Sequence, residues 1–142
     1  MLETIDVMLE KGAFLPERAH TLDAGYDLRS RAIRDTPIPP HGSAIFNTGV
    51  HMAIPAGYVG LLKSKSGLNV KNGITGEGVI DAGYTGSIIV KLYNDTDKPY
   101  YIINGDKIIQ IIIIKAETPT LRVVDSFRDT ERGDSGFGSS GR

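Results

Sequence analysis

Cysteine is absent from the chain, which rules out disulfides, thiolate metal sites and a Cys nucleophile. Charge of one sign is scarce too. Sixteen Lys and Arg against seventeen Asp and Glu give a formal net charge of −1, so neither nucleic acid nor an anionic membrane is expected as a partner. No apolar run approaches the ~20 residues of a membrane span; the longest, 111–114, is strand-sized. Residues 1–15 carry Glu3, Asp6, Glu10 and Lys11, and so lack the basic start and apolar block of a signal peptide. The expected location is cytoplasmic. No long amphipathic helix is evident.

What is present points to β structure. The 142 residues suit one domain with its own core. Seventeen Gly and seven Pro are spread along the whole length, with short β-branched runs between them, the pattern of an all-β barrel or sandwich. Strands are expected at 5–9, 43–48, 51–54, 58–62, 87–94, 100–103, 107–115 and 121–124, with one helical turn at 69–72. The 107–115 stretch is apolar on both faces except at Gln110. Such a strand needs burial on both sides, and in so small a domain a neighbouring subunit is expected to cover one of them. From 128 onward the chain turns charged and then rich in Gly and Ser.

Five polar, Gly-containing segments interrupt the apolar pattern. Gly78-Val79-Ile80-Asp81-Ala82-Gly83-Tyr84-Thr85-Gly86 reads as a hairpin that presents one acid and one ring at a bend. Either it is an ordinary surface turn, or the carboxylate positions a water against a ring-shaped substrate. Lys63-Ser64-Lys65-Ser66-Gly67 is a solvated basic turn or an anion holder. Asp27, expected just before a strand, caps a turn or holds a divalent cation through water. Gln110 satisfies a neighbouring backbone or faces a ligand. The tail from Arg132 to Arg142 is a disordered end, or a segment whose Gly-flanked Phe137 folds over a ligand. His20, His41 and His51 show no metal-ligand spacing and read as surface or core residues.

Taken in order, these segments resemble the five motifs of the trimeric deoxyuridine triphosphate pyrophosphatases (dUTPases). Ala24-Gly25-Tyr26-Asp27-Leu28 is similar to the first motif and Lys65-Ser66-Gly67-Leu68 to the second. Gly78-Val79-Ile80-Asp81 with Tyr84 and Gly86 is similar to the third, and Gly105-Asp106-Lys107-Ile108 with Gln110 to the fourth. Arg132-Gly133 with Gly136-Phe137-Gly138-Ser139 is similar to the fifth. The resemblance spans the chain from Leu15-Pro16 to its end. It implies a single jelly-roll or β-clip domain over 1–127, a flexible C-terminal arm over 128–142, and a homotrimer whose sites are each built from three subunits.

The same resemblance implies hydrolysis of dUTP to dUMP and pyrophosphate, which lowers dUTP and supplies dUMP for thymidylate synthesis. Asp81 would act as general base on the attacking water. Tyr84 would pack under the deoxyribose and exclude a 2′-hydroxyl, and backbone near Gly78 would read the uracil edge. Lys65, Ser66, Gly67 and Gln110 would hold phosphates. Asp27 would contact Mg²⁺ through its waters. Phe137 would stack on the uracil, while Arg132, Gly138 and Ser139 would grip the terminal phosphate. The chemistry is coherent, since an in-line water needs a base and a neutralised leaving group.

The chain departs from the family pattern at a few positions. Lys65 and Lys107 stand where Arg is usual, giving a point charge in place of a fork. Gly83 stands where Asp is frequent, and Asp134-Ser135 adds a carboxylate to the tail. A related deaminase of deoxycytidine triphosphate would need Glu where this chain has Lys91. A nucleotide- or partner-binding β domain without catalysis is the remaining alternative.

Overall fold

The computed structural model describes residues 1–138, 140 and 141 of the chain. Ten strands and one short helix follow in order: β1 Val7–Leu9, β2 Gly25–Arg29, β3 Thr36–Ile38, β4 Ser43–Asn47, β5 Val50–Met52, β6 Tyr58–Lys63, α1 Ser66–Asn72, β7 Ile74–Ile80, β8 Ile89–Asn94, β9 Tyr100–Ile102 and β10 Lys107–Lys115. Six strands form one curled sheet in the order β2-β10-β6-β7-β8-β4; β1 pairs with β5 and β3 with β9 as two-stranded ribbons. Every pairing is antiparallel. The fold is all-β, as the sequence led us to expect. Among the described residues no helix is long and apolar enough to cross a membrane.

Alternation drives the packing. In β8, Val90, Leu92 and Asn94 are buried, while Ile89, Lys91 and Tyr93 face outward. In β7, Ile74, Gly76 and Ile80 are buried, with Glu77 and Val79 exposed. These inward residues join one core cluster with Leu28, Phe46, Ile54, Leu62 and Ile111. Each fully buried Leu, Ile or Val contributes roughly 1.5–3 kcal/mol. A bulge between Lys107 and Ile109 in β10 puts one extra residue on that strand, so that Ile108 and Ile109 are both buried before alternation resumes.

An apolar stripe crosses the outer face of the sheet. Across three adjacent strands Ile112, Leu61 and Val79 stand in register, and Ile114 stands opposite Val59. Val79 and Ile114 are exposed, at 61% and 42%.

Three local expectations are corrected. The helix begins at Ser66 rather than at 69. No strand forms at 121–124; the last strand ends at Lys115, and residues 117–138 are exposed throughout. The β7–β8 hairpin is open toward its tip. Its strands pair only from Ile74 to Gly76, after which β7 stays with β6 and β8 goes with β4. Gly76 permits the parting strands to cross closely, since a Cβ there would stand 2.9 Å from the Lys91 carbonyl oxygen.

Candidate active site

The parted strands leave residues 81–88 outside the ladder, and the segment is held by other contacts. The Gly83 N–H donates to the Ile54 carbonyl at 3.1 Å, and the Ile88 N–H to the Val50 carbonyl at 2.8 Å. The Tyr84 N–H closes a turn on the Asp81 carbonyl at 3.2 Å. Gly83, third in that turn, sits at φ 83°, which a side chain would strain. Asp81 follows buried Ile80 and is itself exposed. Among the described residues its carboxylate has no hydrogen-bond partner. The Tyr84 hydroxyl donates to the Ser87 carbonyl at 2.8 Å. Its ring lies across Gly86, where a Cβ would come within 2.5 Å of the phenol oxygen. The turn therefore offers a free carboxylate beside a ring of fixed orientation.

Behind the turn lies a set of residues that the motifs did not point to. His51 Nδ1 is 2.6 Å from the Thr85 carbonyl oxygen, and His51 Nε2 is 2.7 Å from Glu10 Oε2. Arg31 Nη2 donates to Glu10 Oε1 at 3.3 Å and to Asn47 Oδ1 at 3.2 Å. The Ser87 hydroxyl meets the same Asn47 oxygen. The hydrogen bond to the Thr85 carbonyl, aided by Glu10 and opposed by burial, raises the His51 pKa above its ordinary 6.5. The hydrogen bond to His51 lowers the Glu10 carboxyl below its ordinary 4.5; burial opposes it, and Arg31 adds to the lowering.

The second group of expected residues lies across β2, β10 and β6. Asp27 is within β2, not before it, and is buried. It stands in register with Gln110, which stands in register with Lys63. The Asp27 carboxylate pairs with the Lys65 ammonium and lies 3.5 Å from Lys107 Nζ. Gln110 Nε2 donates to the Ser64 carbonyl at 3.1 Å, so the amide satisfies neighbouring backbone. Ser66 and Gly67 open α1 beside Lys65, both exposed. Nothing lies within 4 Å of the place a Cβ would take on Gly67, which leaves the backbone there open to close approach.

The two groups stand apart within one chain. Ile80 pairs with Gly60 at one end of the β6–β7 ladder, while Lys63 pairs with Glu77 at the other. Asp81 lies one residue beyond Ile80 and Lys65 two beyond Lys63, so the chain carries them past opposite ends of the β6–β7 pairing. Gly78 lies between the ends, opposite Leu62 and half-buried. Lys91 projects outward, its ammonium 5.2 Å from the centre of the Tyr93 ring. Arg132, Phe137 and Gly138 are exposed. Arg132 Nε donates to the nearby Ser135 carbonyl at 2.8 Å. Ser139 lies outside the described residues.

Among the described residues no group of three or more His, Cys, Asp or Glu could hold a metal ion. A lone buried carboxylate between two ammonium groups cannot cage a bare cation. It suits a hydrated Mg²⁺ carried in by phosphate oxygens, the usual way that ion is bound with few protein ligands.

A family profile described as dUTPase matches residues 11–141. The chain is 44% identical to the deoxyuridine 5′-triphosphate nucleotidohydrolase of Corynebacterium glutamicum, over 96% of this chain and 93% of that one. It is 42% identical to the enzyme of the same name from Arabidopsis thaliana, over 94% and 80%. The dUTPase of Staphylococcus bacteriophage 80alpha, solved with dUPNHPP, superposes with a TM-score of 0.91 at 36% identity, covering 99% of this chain and all of that one. A mutant dUTPase from phage phi11 of S. aureus, whose structure details the coordination of a structural Mg(II) ion, superposes at 0.80 with 33% identity, over 88% and 99%.

Proposed function

Because the chain belongs to the dUTPase family, we propose that it hydrolyses dUTP to dUMP and pyrophosphate, with Asp81 as general base. The observation that carries this reading is the free Asp81 carboxylate on a turn pinned by Gly83 and Tyr84. Such a group can accept a proton from water without first breaking an ion pair. Tyr84, three residues on in the same turn with its hydroxyl tied to the Ser87 carbonyl, would pack against the sugar, leaving no room for a 2′-hydroxyl. Backbone near Gly78 would read the uracil edge.

Lys65, Ser66, Gly67 and Gln110 would hold the phosphates. In water-poor surroundings their cations and dipoles count for more than in solvent. Asp27, released from Lys65 and Lys107, would hold the waters of Mg²⁺. When bound, that ion would neutralise charge on the leaving pyrophosphate. Phe137 would stack on the base, with Arg132, Gly138 and Ser139 at the terminal phosphate.

A homotrimer is part of the proposal. Two observations support it: the apolar outer stripe through Ile112, Leu61 and Val79, and the separation of Asp81 from Lys65 along the β6–β7 ladder. A base and a phosphate clamp must meet at neighbouring phosphorus atoms, so they would come from different subunits. The proposed location is the cytoplasm, with the nucleotide pool. The test is pyrophosphate release from dUTP, UTP, dTTP and dCTP, with and without Mg²⁺. Release from dUTP alone, dependent on Mg²⁺, is expected; equal release from UTP would refute the role of Tyr84, and deamination of dCTP would refute the reaction.

A further inference from the structure

We propose that His51, backed by Glu10 and Arg31, is a positioning residue for the turn that carries Asp81, and that it does this work best as the imidazolium. The inference rests on the hydrolase reading above, since it concerns how that reaction's base is held. Because residues 81–88 leave the ladder, side chains must supply what strand pairing does not. His51 supplies one such contact at the Thr85 carbonyl, 2.6 Å from Nδ1. Asn47 supplies another through the Ser87 hydroxyl, and the Ser87 carbonyl in turn receives the Tyr84 hydroxyl. Arg31 joins the two supports, reaching Glu10 Oε1 on one side and Asn47 on the other.

The geometry selects the charged ring. A backbone carbonyl and a carboxylate are both acceptors, and they face opposite nitrogens of the same imidazole. A neutral ring has one N–H and satisfies one of them; only the imidazolium satisfies both. The charged groups that face the ring are Glu10, just past the ribbon strand β1, and Arg31, after β2. Its neighbours along β5, Val50 and Met52, are apolar, and Thr85 offers a carbonyl. Loss of the proton would leave the Thr85 contact and turn a lone pair toward Glu10. The tie between β1 and the turn then slackens. Lys65, Ser66, Gly67 and Gln110 are not carried on this turn, whereas Asp81 is, so the larger effect should fall on kcat, with a smaller one on KM through Tyr84.

The test compares the full-length wild type with Glu10→Gln, His51→Gln and His51→Ala. One measurement is the His51 ring pKa by NMR titration without substrate; the other is kcat and KM for dUTP across pH. In the wild type kcat should fall about threefold as pH rises through the His51 pKa, the scale of one exposed charge pair. Glu10→Gln should move the ring pKa and the kcat limb down together. His51→Gln keeps a donor for Thr85 and should remove the limb. His51→Ala should lower kcat roughly tenfold, the scale of one lost hydrogen bond, with KM changed less. A limb that stays in place in Glu10→Gln, or wild-type kcat in His51→Ala, overturns the proposal. Failure of the hydrolase reading would appear separately, as a wild type that releases no pyrophosphate. The brace itself then stands if amide exchange at Thr85 and Gly86 quickens in Glu10→Gln, and falls if it does not.

Discussion

Asp81 and Lys65 stand past opposite ends of the β6–β7 pairing, one beyond the pair Ile80–Gly60 and the other beyond Glu77–Lys63. Two inactive variants should therefore rescue each other. If each site takes Asp81 from one chain and Lys65 from another, Asp81→Asn and Lys65→Ala trimers mixed under subunit exchange regain activity. Random assortment at equal amounts leaves about one site in four with both native residues. Pyrophosphate release measured against mixing ratio should rise to a maximum at parity. A flat, inactive line would mean that one chain supplies both groups.

Asp81→Asn alone tests the base. The substitution keeps size and polarity and removes the proton acceptor, so kcat should fall about 10²- to 10⁴-fold. Affinity for dUTP should stay within a few-fold, as the phosphates are held elsewhere. The Asp81 carboxylate has no hydrogen-bond partner among the described residues, so the melting temperature should not drop. Calorimetric titration with a non-hydrolysable analogue checks the affinity; a variant that still turns over dUTP would end the assignment.

Much of this site was legible in the chain because its motifs are short and local. Gly83 and Tyr84 make their turn within four residues of Asp81, and Ser66 and Gly67 open a helix directly after Lys65. The strands were legible for the same reason, since alternation in β7 and β8 sorts their residues to two faces. What could not be read depends on distant partners. Gln110 finds its acceptor, the Ser64 carbonyl, 46 residues away, and His51 finds Glu10 at a separation of 41. Nothing near His51 marks it, because a histidine between Val50 and Met52 carries no spacing of its own. The expected strand at 121–124 failed for a related reason: Val123 and Val124 suit a strand, but a strand needs a partner, and residues 117–138 are exposed throughout.

The outer apolar stripe gives a test of assembly separate from catalysis. Val79 is 61% exposed in the single chain, so Val79→Asp should fold without penalty. In a trimer that covers the stripe, the new carboxylate would be desolvated without a partner, at a cost of several kcal/mol. Sedimentation should show the wild type as a trimer and the variant shifted toward monomer, with activity lost in step. Ile114→Asp should act the same way. A variant that remains trimeric would place the interface elsewhere.

The Glu10–His51 pair makes stability depend on pH in two opposite senses. The folded pKa of His51 is raised above 6.5, so its contribution is full below that value and is lost as pH rises through the raised one. The folded pKa of Glu10 is lowered below 4.5, so its contribution is full above 4.5 and is lost as pH falls through the lowered one. Both are complete between the ordinary values of 4.5 and 6.5. The difference in melting temperature between wild type and Glu10→Gln, at fixed protein concentration, should be largest in that window and shrink on either side. A constant difference from acid to alkaline pH would mean that the pair adds no proton-linked stability.

Removal of the arm separates closure of the site from stability of the fold. Residues 117–138 are exposed throughout, and Phe137 projects fully into solvent. A chain ending before Arg132 loses no buried contact, so its melting temperature should match that of the full chain. Its kcat/KM for dUTP should nonetheless fall on the order of 100-fold, because the proposed stacking by Phe137 and phosphate grip by Arg132 would no longer order the substrate before attack. Phe137→Ala should raise KM with a smaller effect on kcat, since stacking acts on bound substrate and transition state alike. A truncated chain that keeps the full rate would return the arm to an ordinary disordered end. A truncated chain that melts early would show instead that the arm packs on a neighbouring subunit.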